Sequence, residues 1–177
     1  MKNLKIINMF GGPGSGKSIV AALVFAHMKL AGLKVELVTE YAKDLTYSRQ
    51  PKTSEDHITV FANQYAKLNS LIGHTDYVVT DAPLLNSLIY GEEQSRHFRE
   101  LVFEKFNEYD NVNFFINRVK PYAQFGRTQS ETESDILSTQ IKAMLNEYNQ
   151  TFVELDGNDK VYIPVLELIK ENWWTNK

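Results

Sequence analysis

One glycine-rich motif constrains this chain more than any other feature of its sequence. Residues 11–18 read GGPGSGKS and match the pattern G-x-x-x-x-G-K-[ST]. The apolar segment before it, residues 4–10, has the composition of a short buried strand, and residues 19–30 after it have that of a helix. A strand, a glycine-rich loop and a helix in this order are the context in which the motif binds phosphate groups. We therefore expect this loop to hold a nucleoside triphosphate.

The residue types in the motif explain how such a loop holds phosphates. Gly11, Gly14 and Gly16 allow backbone angles and close approaches that a side chain would block. The backbone N–H groups form an anion-binding nest at a helix N-terminus. We expect Lys17 to reach the β- and γ-phosphates and Ser18 to bind Mg²⁺ through its hydroxyl. The residues expected to contact the nucleotide are Gly12, Gly14, Ser15, Gly16, Lys17, Ser18 and Ile19.

Length and composition indicate one domain over residues 1–177, with 43% hydrophobic residues to build a core. The net charge of −3 and the sequence pI of about 5.8 argue against a large nucleic-acid surface, which is usually basic. The absence of cysteine excludes disulfides and thiolate metal sites. No apolar run approaches the roughly 18 residues that span a bilayer, and no signal peptide is visible. We expect a cytoplasmic protein without a membrane partner.

Apolar strands alternate with amphipathic helices along the chain, which predicts a parallel α/β sheet. The predicted strands cover residues 4–10, 33–39, 77–80, 113–116 and 152–155. The predicted helices cover residues 17–30, 54–72, 84–90, 95–108, 133–149 and 161–172, with Ser54 as the cap of the second. Polar loops are expected at residues 43–51 and at 118–131, and the second of these is interpreted as a lid.

Two acidic residues follow predicted strands, at the edge of the sheet where such folds bind ligands. Glu40 follows the second strand and could accept a proton from an attacking hydroxyl or hold Mg²⁺; a solvated surface acid is the alternative. Asp81 follows the third strand and could order the Mg²⁺ shell directly or through water; a turn or helix-cap acid is the alternative.

The predicted lid carries the basic residues Arg118, Lys120 and Arg127. Mobile arginines can neutralise the charge that develops on a transferred phosphoryl group, so we interpret Arg118 and Arg127 as catalytic; a basic surface loop is the alternative. Tyr122 could stack on a substrate base or anchor the lid to the core. Gln64 lies on a predicted helix and could read a base edge with its carboxamide.

Four segments together resemble a known family: IINMFGGPGSGKS, VELVTEYAKD, VVTDAPL and NRVKPYAQFGRTQSE. They resemble the small P-loop kinases of bacteriophages, many of which are described only as AAA-type ATPases or nucleotide kinases. The chain is more distantly similar to ribosylnicotinamide kinases and deoxynucleoside kinases. The resemblance covers most of the chain. It implies a P-loop NTPase three-layer sandwich of about five parallel strands with helices on both faces and a short lid, using ATP and Mg²⁺.

The resemblance also implies roles for individual residues. Glu40 matches the acid after the second strand, Asp81 the acid after the third, and Arg118 and Arg127 the lid cations. Gln64 matches the base-reading glutamine of deoxynucleoside kinases. The chain departs from those enzymes in two places, with Asp-Ala-Pro in place of Asp-Arg-Ser and Glu-Tyr in place of Glu-Pro. The residues implied to carry the triphosphate are Gly14, Gly16, Lys17 and Ser18.

Three functions are consistent with these features. The first is a kinase that transfers the γ-phosphoryl of ATP to a hydroxyl or phosphate of a free nucleoside- or nucleotide-like acceptor. The second is the same phosphoryl transfer to 5-hydroxymethyluracil in DNA. For a phage protein with this function, we expect a location in the cytoplasm of the host cell. The third is an NTP-hydrolysing switch or binding module. DNA binding that weakens steeply with salt would favour the second function. Hydrolysis of the nucleoside triphosphate without transfer to an acceptor would favour the third function. A homo-oligomer is compatible with all three.

Overall fold

Five parallel strands form one sheet in the middle of the fold. The computed structural model describes residues 4–41, 56–89, 94–123 and 129–173. The strands are β1 (Lys5–Phe10), β2 (Val35–Val38), β3 (Tyr77–Thr80), β4 (Asp110–Asn117) and β5 (Val153–Asp156). Their order in the sheet is β2-β3-β1-β4-β5, and every neighbouring pair is parallel. This confirms the α/β class and the parallel P-loop topology expected from the sequence.

Helices connect the strands and cover both faces of the sheet. They are α1 (Lys17–Leu30), α2 (His57–Asn69), a 3₁₀ helix (Leu84–Leu88), α3 (Arg96–Phe106), α4 (Glu131–Glu147) and α5 (Tyr162–Trp173). None of the helices in the described ranges combines the length and the apolar character that crossing a bilayer would require.

Alternation along β1 divides the hydrophobic core into two parts. Ile6 and Phe10 point to one face, where they meet apolar side chains of α2, the 3₁₀ helix, α3 and α4. Ile7 and Met9 point to the other face, where α1 and α5 pack. All four side chains are at most 1% exposed. Successive residues of a strand face opposite sides, so a central strand with apolar residues at both alternating sets of positions predicts a sheet covered on both faces, as observed.

Two predicted helices differ from the structure, one in where it begins and one in its type. The second long helix begins at His57 rather than Ser54, because the Asp56 side chain accepts hydrogen bonds from the backbone N–H groups of Ile58 and Thr59, at 3.1 and 3.3 Å. A carboxylate in this position satisfies the free N–H groups of the first turn. The segment predicted as a helix over 84–90 is a 3₁₀ helix of five residues. Ser54 and the predicted loop at 43–51 lie outside the described residues.

The topology fixes where a ligand can bind. The chain leaves β1 toward β2 and β3 on one side of the sheet, and later crosses to β4 and β5 on the other side. The change of direction at the carboxyl end of β1 is a topological switch point, where open α/β sheets form their ligand crevice. The glycine-rich loop, residues 11–16, connects β1 to α1 at this point.

Candidate functional site

The glycine-rich loop has the backbone conformation that its glycines predict. The φ angles of Gly11, Gly14 and Gly16 are 139°, 79° and 100°, all in the region that residues with a side chain rarely adopt. Gly16 caps the N-terminus of α1, so the loop delivers the chain directly into the helix. The first N–H groups of a helix have no partner within it, and here they lie beside the backbone of the loop. The result is an anion-binding concavity at a helix N-terminus.

Neighbouring elements enclose this loop. A Cβ atom on Gly11 would lie 2.6 Å from the carbonyl oxygen of Ile116 at the end of β4. A Cβ atom on Gly12 would lie 2.6 Å from the carbonyl oxygen of Ser134 in α4. Both distances are too short for real carbon–oxygen contacts, so glycine is required for close packing at both positions, and at Gly11 also for its φ. The loop is therefore held between the end of β4 and the first turns of α4.

Lys17 extends back across the loop that precedes it. Its Nζ donates hydrogen bonds to the carbonyl oxygens of Gly11 and Gly12, at 2.7 and 3.0 Å. These two bonds hold the ammonium group over the concave side of the loop, where it adds a full positive charge to the partial charges of the N–H groups. The contact of Lys17 with the loop leaves its role toward the β- and γ-phosphates a prediction.

Ser18 and Asp81 meet beside the lysine. The Ser18 hydroxyl donates a 2.5 Å hydrogen bond to Oδ2 of Asp81, which joins the first turn of α1 to the end of β3. Asp81 is 8% exposed, and its Oδ1 is buried with no hydrogen-bond partner in the described part of the chain. An unpaired buried carboxylate oxygen is costly unless a cation or donor satisfies it. Hydroxyl and carboxylate oxygens are ligands that Mg²⁺ prefers, so these residues fit the expected ion.

Helix α2 holds the segment that carries Glu40. The Gln64 Oε1 atom accepts a 3.0 Å hydrogen bond from the backbone N–H of Tyr41, which belongs to the same peptide group as the Glu40 carbonyl. Lys67, one turn further along α2, donates to the carbonyl oxygen of Thr39 at 3.4 Å and lies 5.4 Å from the centre of the Tyr41 ring. Three contacts thus anchor residues 39–41, and Glu40 is exposed beyond the end of β2.

Gln64 itself is buried, at 4% exposure. Its Oε1 is occupied by the Tyr41 N–H, which fixes the orientation of the carboxamide. Its Nε2 is buried and has no partner among the described residues. The carboxamide therefore has its oxygen hydrogen-bonded and keeps an N–H donor without a partner among the described residues. Its neighbours on the helix, Phe61 and Leu68, belong to the hydrophobic core, as their spacing predicts.

Arg118 is engaged with the start of α4. Its guanidinium donates to Glu131 at 2.8 Å and to Asp135 at 2.5 Å, and it lies 5.3 Å from the centre of the Tyr122 ring. The hydroxyl of Tyr122 donates to the carbonyl oxygen of Gln129 at 2.5 Å. These contacts hold the arginine against the start of α4, so reaching a phosphate would require it to leave its two carboxylate partners. Arg127, the second predicted lid cation, lies outside the described residues.

The loop after β5 contacts the glycine-rich loop. The backbone N–H of Gly157 donates to the carbonyl oxygen of Asn117 at 2.9 Å. A Cβ atom on Gly157 would collide with the carbonyl oxygen of Ser15 and lie 3.0 Å from that of Asn117. The end of β5 is therefore packed directly on the glycine-rich loop. Ile19, also predicted to contact nucleotide, is 56% exposed at the start of α1.

Hydrogen bonds made by residues of α4 lower the pKa values of two glutamates. Lys142 donates to Glu154 at 2.6 Å, and this hydrogen bond is the main reason that the pKa of Glu154 lies below its usual value. The Glu133 carboxylate accepts from the backbone N–H of Ser130, which lowers the pKa of Glu133 and completes a capping box at the start of α4. Both interactions fix the helix that borders the phosphate loop.

One contact of the loop was not predicted from the sequence. The hydroxyl of Ser134 donates to the carbonyl oxygen of Pro13 at 2.6 Å, and Ser134 is 1% exposed. Ser134 lies within the polar run Glu131–Asp135, which reads as a solvated helix start. The contact joins residues 121 positions apart, so no local signal reveals it.

Comparisons with known proteins agree with the fold. The solved structure of thymidylate kinase from Candida albicans, which is described as having broad substrate specificity, has a similar fold, with a TM-score of 0.58. The two chains share 13% sequence identity, and the match covers 94% of this chain and 91% of that one. No curated protein matches the chain. A family model described as an AAA domain matches residues 6–160, and the chain therefore belongs to this family, AAA_28.

Proposed function

We propose that the protein is an ATP-dependent phosphotransferase that moves the γ-phosphoryl group of ATP to a hydroxyl or phosphate of a nucleoside- or nucleotide-like acceptor. The main support for this proposal is the pair formed by Asp81 and Ser18. Asp81 meets Ser18 at the edge of the sheet, and its Oδ1 is buried without a partner next to the phosphate loop. A carboxylate kept in this state at a stability cost is typical of a residue retained for function.

Binding of ATP follows from the loop and its lysine. The N–H groups at the start of α1 would surround the phosphates, and the Nζ of Lys17 would add a charged donor. Ser18 and Asp81 would hold Mg²⁺, which when bound neutralises phosphate charge and orients the oxygens for in-line transfer. The loop after β5, around Gly157, lies against the same loop and is positioned to border the nucleoside.

Transfer to a hydroxyl requires a base, and transfer to either kind of acceptor requires charge stabilisation. A hydroxyl acceptor would attack the γ-phosphorus, its proton would pass to the Glu40 carboxylate, and the bond from phosphorus to the bridging oxygen would break to release ADP. A phosphate acceptor would attack through an oxygen that is already ionised, and no proton would be transferred. Glu40 follows β2, and Asp81 follows the neighbouring strand β3, in which Thr80 pairs with Val38. In this proposal Arg118 and Arg127 neutralise the developing charge, with Arg118 leaving its carboxylate partners on closure.

The acceptor class is inferred from the donor that Gln64 presents. Its Nε2 is buried and unpartnered, and its Oε1 anchors the peptide after Glu40. A substrate that binds near Glu40 could accept a hydrogen bond from this N–H donor through a carbonyl oxygen or a ring nitrogen, and the edge of a nucleobase carries such acceptors. Tyr122 is the second proposed substrate contact. The likeness of the fold to thymidylate kinase and the sequence resemblance to bacteriophage kinases both favour an acceptor from the deoxynucleotide pool.

The test is transfer of labelled γ-phosphate from ATP to a panel of acceptors. Deoxynucleosides, their monophosphates, ribosylnicotinamide, and DNA with and without 5-hydroxymethyluracil are offered to the protein and to its Lys17→Ala and Glu40→Gln variants. We expect label in a free nucleoside or nucleotide, and loss of transfer in both variants. Label only in the modified DNA would make the protein a DNA-modifying kinase. Hydrolysis with no labelled acceptor would favour the switch function, and transfer that survives Lys17→Ala would refute the assigned site.

A further inference from the structure

The first turns of α4 contact the phosphate loop through a buried hydroxyl. Ser134 is 1% exposed, and its Oγ donates a 2.6 Å hydrogen bond to the carbonyl oxygen of Pro13. Pro13 is in the middle of the glycine-rich loop, between Gly12 and Gly14. A serine hydroxyl in a helix can bond to its own helix backbone, but this one is directed outward to another segment. The hydrogen bond therefore fixes the position of Pro13 in the glycine-rich loop relative to α4.

The geometry of a peptide group turns this contact into a statement about Gly14. The Pro13–Gly14 peptide is trans, so its C=O and N–H bonds point in nearly opposite directions across a rigid plane. Because the Pro13 oxygen faces Ser134, the Gly14 N–H faces away from α4. Within the described part of the chain, the Gly14 N–H makes no hydrogen bond. It is one of the donors that a phosphate in the loop would use.

Two further observations concern the part of α4 that contacts the glycine-rich loop. The Ser138 hydroxyl donates to the carbonyl oxygen of Ser134 at 2.9 Å, one turn along the helix. That same carbonyl would lie 2.6 Å from a Cβ atom on Gly12. The loop thus meets α4 at consecutive residues, by packing at Gly12 and by a hydrogen bond at Pro13. Neither residue can shift far without breaking one of the two contacts.

We propose that Ser134 is a positioning residue for the nucleotide: its hydroxyl fixes the Pro13–Gly14 peptide so that the Gly14 N–H points at the phosphates. Without this hydroxyl the peptide can rotate about its flanking bonds, which Gly14 permits. A rotated peptide would present the Pro13 oxygen, an acceptor, to an anion. This inference rests on the proposed nucleotide-binding function, because it concerns the same loop.

The sequence offers a direct spectroscopic test. Gly14 is the only glycine that follows a proline among the 9 glycines of the chain. Labelling proline carbonyl carbon with ¹³C and glycine nitrogen with ¹⁵N therefore isolates a single amide signal, that of Gly14. The probe is ADP, with inorganic tripolyphosphate as a ligand that lacks the nucleoside. Ser134→Ala is compared with Thr139→Ala, which removes a hydroxyl bonded to the backbone carbonyl of Asp135 on the same helix.

In Ser134→Ala we expect the Gly14 amide to resonate differently without ligand and to move less when ADP binds. We also expect ADP and tripolyphosphate to bind about 10- to 150-fold more weakly, the effect of losing one oriented donor to a charged group. Thr139→Ala should match the unmodified protein. Ser134→Cys, which keeps a weak donor of similar size, should shift both readouts in the same direction and serves if the alanine variant does not fold.

The outcomes separate this inference from the function on which it rests. If the unmodified protein binds neither ADP nor tripolyphosphate, the nucleotide function is wrong and the role of Ser134 falls with it. If the unmodified protein binds both, and the serine variants bind equally well with an unchanged Gly14 signal, only the positioning role is overturned. A purely structural role would lower Tm in Ser134→Ala without changing the affinity of the folded protein.

Discussion

Replacing Gly12 with alanine tests whether α4 supports the phosphate loop. The new Cβ atom would lie 2.6 Å from the Ser134 carbonyl oxygen, about 0.8 Å closer than the 3.4 Å at which ordinary contacts begin. The Ser134 carbonyl belongs to a helix and cannot move alone, so the loop must shift. Overpacking of this kind costs about 1–3 kcal/mol. For a chain of this size, each kcal/mol lowers Tm by about 2–4 °C.

The expected result is a Tm lower by about 2–12 °C together with weaker ATP binding, because the displaced residue is part of the site. Thermal unfolding and calorimetric titration with ATP measure the two effects. The control is Gly32→Ala: Gly32 has φ of 80°, and a Cβ atom there would meet no described atom within 4 Å. Its cost is about 1–2 kcal/mol of backbone strain alone, so it should lower Tm without changing ATP affinity.

Two results would refute this reasoning. If Gly12→Ala keeps both its Tm and its ATP affinity, the loop is not packed against α4 in the way described. If Gly32→Ala weakens ATP binding as much as Gly12→Ala does, the loss at Gly12 reflects general destabilisation rather than displacement of the loop.

Three further predictions concern charged groups. Asp81→Asn should lower phosphoryl transfer about 100-fold or more, since bound Mg²⁺ supplies several kcal/mol, yet should not lower Tm, because it removes a buried charge with an unpaired oxygen. Glu40→Gln should bind ATP normally but transfer phosphate about 100-fold more slowly, as single-turnover assays would measure. The lowered pKa of Glu154 predicts stability that is present above its usual value of 4.5 and lost as pH falls through the lower folded value. Glu154→Gln should therefore lower Tm by about 1–2 °C at pH 7, through its exposed pair with Lys142, and by progressively less as the pH falls below 4.5.

The sequence predicted the central part of the fold because several of its signals agree. The apolar run of β1, the glycines of the loop and the helix that starts at Lys17 all indicate the same strand–loop–helix unit, and the structure has all three. The alternation of strands and helices likewise predicted five parallel strands, and only their bounds moved by a few residues. Local patterns are reliable where burial and backbone requirements point to one conformation.

The rest of the site depends on contacts between residues far apart in the chain. Gln64 was interpreted as a base reader, but half of its carboxamide is committed to the Tyr41 N–H, 23 residues away. Arg118 was interpreted as a free lid cation, and it is paired with two acids of α4. Ser134 carried no sequence signal. A polar side chain in a sequence specifies its chemistry but not its partner, and the packing of α2 and α4 supplies the partners.

Calorimetric titration of Mg²⁺-ATP into the protein and into its Lys17→Ala variant shows whether the glycine-rich loop binds a nucleoside triphosphate. We expect one nucleotide per chain and an affinity at least about tenfold lower in the variant, because a charged donor held by Gly11 and Gly12 is removed from the phosphates. Equal affinity of the two proteins, or no binding by either, would contradict the claim that this loop holds a nucleoside triphosphate.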